Sequence, residues 1–137
     1  MKVIVCSSIS AINEVLQVKK ELEKMGHSVE IPEGMKNEYL VGRTNVSTPE
    51  KVEDKIKFDV IKSYYEKIKL ADAVLIVNPP KNGIKGYIGG NTLIEIAFGY
   101  VFNKKIYCLY PIPELPYTPE ILAMKPIVLN GDLENIK

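Results

Sequence analysis

The chain has no excess of charge of either sign, because its 18 lysine and arginine residues are balanced by 17 aspartate and glutamate residues. A protein that binds nucleic acid or an anionic membrane through electrostatics usually carries a clear surplus of positive charge. The composition therefore argues against a nucleic acid and against a membrane as the partner. The partner that we expect is a small molecule.

Residues that bind metals are also scarce, since the chain has two cysteines and one histidine. Cys6 and Cys108 both lie in apolar runs and are too few for a zinc site. His27 is remote from every predicted loop, and the acidic residues do not cluster. We expect two reduced thiols in the core, no metal and no cofactor.

Long apolar stretches and a targeting pattern are absent as well. No apolar run reaches the roughly 18 residues that a membrane span requires. Residues 1–6 enter an apolar run directly, without the architecture of a signal peptide. These two absences lead us to expect a cytoplasmic protein.

The chain does have a regular alternation of short β-rich runs with helical runs. Apolar runs predict strands at residues 2–6, 28–31, 73–77, 105–109 and 126–129. Periodicity and capping signals predict helices at residues 11–25, 48–70, 91–102 and 119–124, whereas residues 32–48 show no clear period. The alternation predicts one α/β domain over residues 1–137. We expect a three-layer, doubly wound, five-stranded parallel sheet, flavodoxin-like or Rossmann-like, with the order 2-1-3-4-5.

In such sheets, ligands bind at the carboxyl ends of the strands, near the switch in strand order. The loop after the first strand contains Ser7, Ser8 and Ile9 and enters a helix. Small hydroxyl side chains before the free N–H groups of a helix suit a phosphate or a sugar. The alternative is structural: Ser10 caps the helix, and the two preceding serines form a tight turn.

The loop after the third strand is long and rich in glycine. It begins at Asn78 and ends at Gly89, Gly90, Asn91 and Thr92. The two glycines allow the backbone to approach a ligand closely, and Asn91 or Thr92 can cap the helix that follows. We therefore expect these residues to contact a substrate, the alternative being a flexible loop before a well-capped helix.

Glu95 is the only charged residue between Lys85 and Lys104, and it lies in an apolar helix just beyond the glycines. A helix that is apolar nearly all round is normally buried, and burial of an ionised carboxylate is costly unless other groups stabilise it. The helix dipole favours a carboxylate near the N-terminus. Such a group can act as a nucleophile toward an oxocarbenium-like centre. The alternative is a structural glutamate that pairs with a loop lysine such as Lys81 or Lys85.

These features resemble the nucleoside 2-deoxyribosyltransferases and the related deoxynucleoside 5′-monophosphate N-glycosidases. The resemblance lies in Cys6-Ser7-Ser8-Ile9, in Leu70-Ala71-Asp72, in the glycine loop with Glu95, and in the strand at residues 104–109. It implies the same fold, a glutamate nucleophile at Glu95 that forms a covalent deoxyribosyl-enzyme, and a homodimer or higher homo-oligomer.

The resemblance also implies a carboxylate in the helix before the third strand that assists the leaving base. Its place falls near Tyr64, and the nearest acids are Asp59 and Glu66. Either Asp59 has taken this role or the protonation step differs, and Tyr64 is the other candidate. The acidic residue that transferases usually carry in the glycine loop is absent, because this chain has Tyr87, Ile88, Gly89 and Gly90 there.

The sequence thus predicts cleavage or transfer at the N-glycosidic bond of a nucleoside or nucleoside 5′-monophosphate. The candidate catalytic residues are Glu95, Asp59 and Tyr64. The alternative function is a nucleotide-binding or sensing protein that has the same pocket and no turnover.

Overall fold

A computed structural model describes residues 1–36 and 60–137 of the chain. Its strands are β1 (Lys2–Cys6), β2 (Ser28–Glu30), β3 (Ala73–Ile76), β4 (Lys105–Cys108) and β5 (Ile127–Val128). Its α-helices are α1 (Ile12–Lys24), α2 (Glu33–Lys36), α3 (Val60–Leu70), α4 (Gly90–Val101) and α5 (Thr118–Ala123). Two 3₁₀ turns lie at Ile9–Ala11 and Leu133–Asn135.

The five strands form one parallel sheet with the order β2-β1-β3-β4-β5. The predicted order and the predicted α/β class are therefore confirmed. Because β1 is flanked by β2 and β3, the strand order reverses beside it. The carboxyl ends of β1 and β3 meet where Cys6 pairs with Ile76, and Ile76 pairs in turn with Cys108 of β4.

The sheet separates two apolar cores because successive side chains of a strand point to opposite faces. Val3 and Val5 of β1 pack on the face covered by α1, whereas Ile4 and Cys6 pack on the face covered by α3, α4 and α5. The central strands are buried on both faces, as the unbroken apolar run Ala73–Ile76 predicts. Cys6 therefore lies on the same side of the sheet as Glu95.

The element boundaries agree with the predicted ones where the signals are strong. Gly26 ends the turn after α1 with φ = 92°, as the capping prediction requires. The short helix α2 lies in the segment for which no period is visible, since four residues are too few to show one. The predicted start of the next helix, at Thr48, lies outside the described residues. In the part of the chain that the structure describes, no helix is long and apolar enough to cross a membrane.

Helix α4 lies unusually close to the sheet at Gly99. An added Cβ at this position would lie 2.9 Å from Cγ2 of Val74 on β3 and 3.7 Å from Cγ1 of Ile106 on β4. A larger residue here would push the helix away from the sheet. The missing side chain thus sets the distance between α4, which carries Glu95, and the central strands.

Gly99→Ala should lower the free energy of unfolding by about 1–2 kcal/mol, because overpacking against Val74 exceeds the gain in helix propensity. Gly90→Ala is the matched control, since it lies in the same helix and an added Cβ meets nothing within 4 Å. It should leave stability unchanged or raise it by up to about 1 kcal/mol. Urea denaturation of both variants measures the difference, and equal stability would contradict the close contact.

Candidate functional site

A cleft of about 50 Å³ opens between the loops that follow β1 and β3. About 10–15 Å³ is enough for one water molecule, so the cleft has room for a small polar group rather than for a whole nucleotide. The described residues that line it are Ser7, Ser8, Ser10, Ala11, Val77, Pro79, Pro80, Lys81, Tyr87, Gly89 and Thr92. Its position at the carboxyl edge of the sheet is the one that the strand order predicts.

The serines of the first loop form a small hydrogen-bonded group. Ser7 Oγ donates to the carbonyl oxygen of Val77 at 2.6 Å, which joins the ends of the two strands. Ser8 Oγ lies 3.0 Å from Ser10 Oγ. The alternative in which Ser10 caps the helix is wrong, because the N-cap of α1 is Ala11 and no side chain caps it. The hydroxyls of Ser8 and Ser10 instead line the cleft.

Lys81 is held at the base of a tight turn in the loop after β3. Its backbone exchanges two hydrogen bonds with Ile84, at 3.1 and 2.9 Å. The two residues between them, Asn82 and Gly83, have φ values of 53° and 75°. Two successive positive φ values with the sequence Asn-Gly are typical of a type I′ hairpin turn. The turn fixes the backbone of Lys81 beside the cleft.

The Lys81 side chain extends into the cleft toward the serines. Its ammonium donates to Ser8 Oγ at 2.9 Å, which links the two loops through their side chains. The same ammonium lies 5.6 Å from the centre of the Tyr87 ring, within the range of a cation–π interaction. The cleft therefore combines a cation, two hydroxyls and an aromatic ring.

Asn78 anchors the same loop to the loop after β4. Its side chain is 1% exposed, and its Nδ2 lies 3.2 to 3.3 Å from the carbonyl oxygens of Gly86, Tyr110 and Pro111. Its Oδ1 accepts from the backbone N–H of Tyr110 at 2.9 Å. The side chain of Asn78 is thus held mainly by backbone groups. The substrate contact predicted for Asn78 stays a prediction, and this geometry favours a structural role.

Gly86 makes this anchoring possible. It has φ = 68°, and a Cβ there would lie 2.2 Å from the carbonyl oxygen of Pro111. Only glycine combines this backbone conformation with so close an approach. The loop from Asn78 to Gly89 is therefore fixed at Lys81, at Gly86 and at its first residue, in contrast to the alternative of a flexible loop.

The first turn of α4 has no side-chain cap. Its N-cap is Gly89 in an extended conformation, so the predicted capping by Asn91 or Thr92 is wrong. Both residues lie within the first turn instead, and Thr92 is buried and lines the cleft. Gly89 can expose the free N–H groups of this helix end because it has no side chain.

Glu95 is the sixth residue of α4 and is 5% exposed, as predicted for a glutamate in an apolar helix. The thiol of Cys6, at the end of β1, is hydrogen-bonded to its carboxylate. Burial raises the pKa of Cys6 well above its ordinary range, and the negative charge of Glu95 raises it further. Cys6 is therefore a neutral thiol that can donate to the carboxylate.

Tyr64 lies on the same side of the sheet, with 3% of its surface exposed. Its hydroxyl donates to the carbonyl oxygen of Val5 on β1. Burial raises the pKa of Tyr64 well above its ordinary range, and the nearby Cys6 and Glu95 add to the effect. Tyr64 is therefore a neutral core residue close to Glu95. The other candidate acid, Asp59, lies outside the described residues.

The structure thus divides the predicted site residues into two groups. Ser7, Ser8, Gly89 and Thr92 line the cleft. Of the other predicted residues, Ile9, Asn78, Gly90, Asn91, Tyr64 and Glu95 are not part of the described lining. Ile9 packs against the core on the α1 face. Glu95 lies one helical turn beyond Thr92, so the carboxylate and the cleft are neighbours along the same helix.

Lys81, Ser10 and Tyr87 line the cleft and were not predicted to bind substrate. The sequence does contain a signal for Lys81, because Asn82-Gly83 is a strong turn dipeptide and fixes the residue before it.

Taken together, the site offers two chemistries. The cleft can bind an anion or a hydroxylated group, and the buried carboxylate beyond it can stabilise or attack an electron-poor carbon.

Asn78→Asp tests the anchoring of the loops. An aspartate keeps the acceptor for the N–H of Tyr110 but places a carboxylate oxygen against three carbonyl oxygens, which should lower the free energy of unfolding by about 2–4 kcal/mol near pH 7. The deficit should shrink toward about pH 4, because protonation restores one donor. Urea denaturation of variant and parent at both pH values measures it. A deficit that is small or independent of pH would contradict the bonding described for Asn78.

The fold of this chain is similar to that of a protein of known structure. No family model matches the chain, and no curated protein sequence matches it. Among solved structures, the CMP N-glycosidase BcmB of Clostridium botulinum is similar, with a TM-score of 0.52 and 20% sequence identity over 93% of this chain and 85% of that one. At this identity the likeness shows a shared fold. The α/β fold predicted from the sequence is therefore shared with a solved N-glycosidase.

Proposed function

We propose that the protein cleaves or transfers at the N-glycosidic bond of a nucleoside or nucleoside 5′-monophosphate, with Glu95 as the nucleophile. The observation that carries the proposal is the carboxylate of Glu95, buried at the ligand edge of the sheet and one helical turn beyond a cleft with a cation and hydroxyls. A purely structural glutamate has little reason to lie there, since its burial costs several kcal/mol, on the order of a few pKa units. The shared fold with a CMP N-glycosidase supports the same class of bond.

In the proposed reaction, a carboxylate oxygen of Glu95 attacks the anomeric carbon of the sugar. The bond from that carbon to the base nitrogen breaks, and the base leaves with the electron pair and takes up a proton. Water then attacks the same carbon, which releases the sugar with a new hydroxyl and restores the carboxylate. A second base in place of water would give transfer instead of hydrolysis.

The neighbours of Glu95 suit this role. The Cys6 thiol is a neutral donor, so it can orient the carboxylate without adding a second charge. For the proton that the leaving base needs, we propose Asp59 or Tyr64. Of the two, Tyr64 is the weaker candidate, because its hydroxyl already donates to Val5 and its pKa is raised by burial.

The substrate would lie with its sugar and phosphate against the first loop and the start of α4. We propose contacts from Ser7, Ser8, Gly89 and Thr92, which line the cleft, and from Gly90, Asn91 and Ile9 beside it. A nucleotide is larger than the described cleft, so the base would lie beyond this lining. This arrangement needs neither a metal nor an organic cofactor, because the carboxylate is the nucleophile.

We further propose that the protein forms a homodimer or a higher homo-oligomer. Support comes from large apolar side chains that α3 and α4 leave exposed. They are Ile61, Leu70, Ile94, Tyr100 and Val101, of which Leu70 and Val101 are about 70% exposed. Where exposed apolar side chains form a contiguous patch, the patch marks an interaction site.

A second candidate function is nucleotide binding or sensing without turnover. The observation that favours it is the burial of Glu95, which is 5% exposed and is not part of the described cleft lining. A carboxylate that stays covered when a nucleotide binds would support the pocket without attacking the sugar.

Replacing Glu95 separates the two functions. The wild-type protein should release free base from at least one member of a panel of common ribonucleosides, deoxyribonucleosides and their 5′-monophosphates, followed by liquid chromatography. Glu95→Ala and Glu95→Gln should lower the rate at least about 10³-fold, because the nucleophile is lost.

The matched control is Glu120→Gln, which removes an exposed helical carboxylate and should leave the rate within about twofold of wild type. Base release that persists in the Glu95 variants would rule out Glu95 as the nucleophile. No base release by the wild type, together with calorimetric binding of a nucleotide, would favour the binding protein instead.

A further inference from the structure

Thr92 is a buried residue whose hydroxyl has no hydrogen-bond partner among the described residues. It is 5% exposed, and Asn78 and Glu95 are polar residues buried to a similar extent. The amide of Asn78 bonds to backbone groups, and the carboxylate of Glu95 accepts from the thiol of Cys6. Within residues 1–36 and 60–137, by contrast, the side chain of Thr92 makes no hydrogen bond. Native proteins rarely bury a polar group without a partner, so this hydroxyl indicates a missing ligand group.

The backbone acceptors that a helical threonine commonly uses are taken by other donors. A threonine within a helix often bonds back to the carbonyl oxygen four residues earlier. For Thr92 that oxygen belongs to Ile88, which lies before the helix and accepts from the hydroxyl of Tyr117. The carbonyl oxygen three residues earlier, that of Gly89, accepts from the N–H of Leu93 at 2.9 Å. The hydroxyl of Thr92 therefore remains available to a group that enters the cleft, which Thr92 lines.

Thr92 lies three residues before Glu95, so the two side chains are neighbours on one face of α4. Side chains of a helix tilt toward its N-terminus, which directs the carboxylate of Glu95 toward the turn that carries Thr92. Residues with this spacing have Cβ atoms about 5–6 Å apart. Two side chains at that separation can contact neighbouring positions of one sugar ring.

The proposed reaction determines which position of the sugar would face Thr92. A carboxylate that displaces the base attacks the anomeric carbon from the face of the ring opposite the base. In a ribonucleoside, the 2′-hydroxyl lies on that same face and on the carbon next to the anomeric carbon. A hydroxyl can donate one hydrogen bond and accept others, so it pairs with the threonine hydroxyl in either direction. A 2′-deoxy sugar has only hydrogen at this position and leaves Thr92 unpaired.

We propose that the hydroxyl of Thr92 binds the 2′-hydroxyl of the sugar and makes the protein prefer ribonucleosides and ribonucleotides to their 2′-deoxy counterparts. The inference rests on the proposed function, which puts the anomeric carbon at Glu95. A site with a buried hydrogen-bonding group discriminates against a ligand that lacks the matching hydroxyl, because the buried group then stays unpaired. The preference is opposite to the one that the resemblance to nucleoside 2-deoxyribosyltransferases implies.

The test is calorimetric binding to the full chain carrying Glu95→Gln, which prevents turnover, alone and combined with Thr92→Val or Thr92→Ser. The ligands are the common ribonucleosides, their 2′-deoxy and 3′-deoxy counterparts, and the 5′-monophosphates of each. Valine is branched at Cβ like threonine but has no hydroxyl, whereas serine keeps the hydroxyl, so the two variants separate hydrogen bonding from shape. Base release by the same Thr92 variants with Glu95 intact, and their denaturation by urea, are measured in parallel.

With Thr92 present, a ribo ligand should bind at least about 10-fold more tightly than its 2′-deoxy counterpart. Thr92→Val should weaken the ribo and 3′-deoxy ligands by at least about 10-fold and leave the 2′-deoxy ligand within about threefold, because only the first two carry a 2′-hydroxyl. Thr92→Ser should retain the preference.

Base release should show the same pattern when each variant is compared with its parent on one substrate, which removes the higher intrinsic reactivity of 2′-deoxy glycosides. Thr92→Val should lower kcat/KM for a ribo substrate at least about 10-fold more than for its 2′-deoxy counterpart. The urea midpoint of Thr92→Val should not fall, because the hydroxyl that it removes has no partner in the free protein.

The proposal is overturned if the 2′-hydroxyl adds no affinity, if Thr92→Val weakens ribo and 2′-deoxy ligands equally, or if Thr92→Val lowers the urea midpoint. Failure of the proposed function is a separate result. A Thr92-dependent preference without any base release would keep the sugar contact and remove the enzyme. Base release without such a preference would keep the enzyme and remove the sugar contact, and the absence of both binding and release would remove both.

Discussion

The burial of one carboxylate, that of Glu95 on α4 against the end of β1, is the constraint on which the rest of the site depends. An ionised carboxylate in an apolar core costs several kcal/mol, on the order of a few pKa units, unless hydrogen bonds offset the loss of water. The neutral thiol of Cys6 supplies one such bond, and it can do so because β1 ends beside the helix. Gly99 permits the helix to approach the sheet closely enough for this contact.

The segment between β3 and α4 is long, rich in glycine and contains no helix or named strand of its own. Its position therefore depends on contacts with neighbouring loops and on its own turn. Asn78 and Gly86 join it to the loop after β4, and the turn at Asn82-Gly83 sets the position of Lys81. The cleft and the buried carboxylate of Glu95 then lie one helical turn apart along α4.

The fold is readable from the sequence because each central strand is an unbroken apolar run and each helix has a periodic face. The order of the sheet and the burial of Glu95 follow from these patterns, and both are observed. The start of α4 was predicted wrongly because asparagine and threonine are common caps, yet the backbone uses Gly89, which lets the first turn open toward the cleft. Ser10 was a plausible cap for the same reason.

Contacts between distant loops are the part that the sequence does not reveal. The bond from Lys81 to Ser8 joins residues 73 positions apart, and the commitment of Asn78 to the backbone depends on a neighbouring loop. Local patterns carry no information on such pairs, so the sequence suggests Lys81 only as a partner for Glu95.

Intact-protein mass spectrometry after incubation with a 2-deoxy-2-fluoro analogue of a nucleotide substrate tests the central claim most directly. The fluorine slows breakdown of a covalent glycosyl-enzyme, because it destabilises the oxocarbenium-like transition state. The account predicts a mass increase of one fluorinated sugar phosphate, with the label on the peptide that contains Glu95 and no label in Glu95→Ala. A label on another residue, or base release from the natural substrate with no covalent adduct, would contradict it.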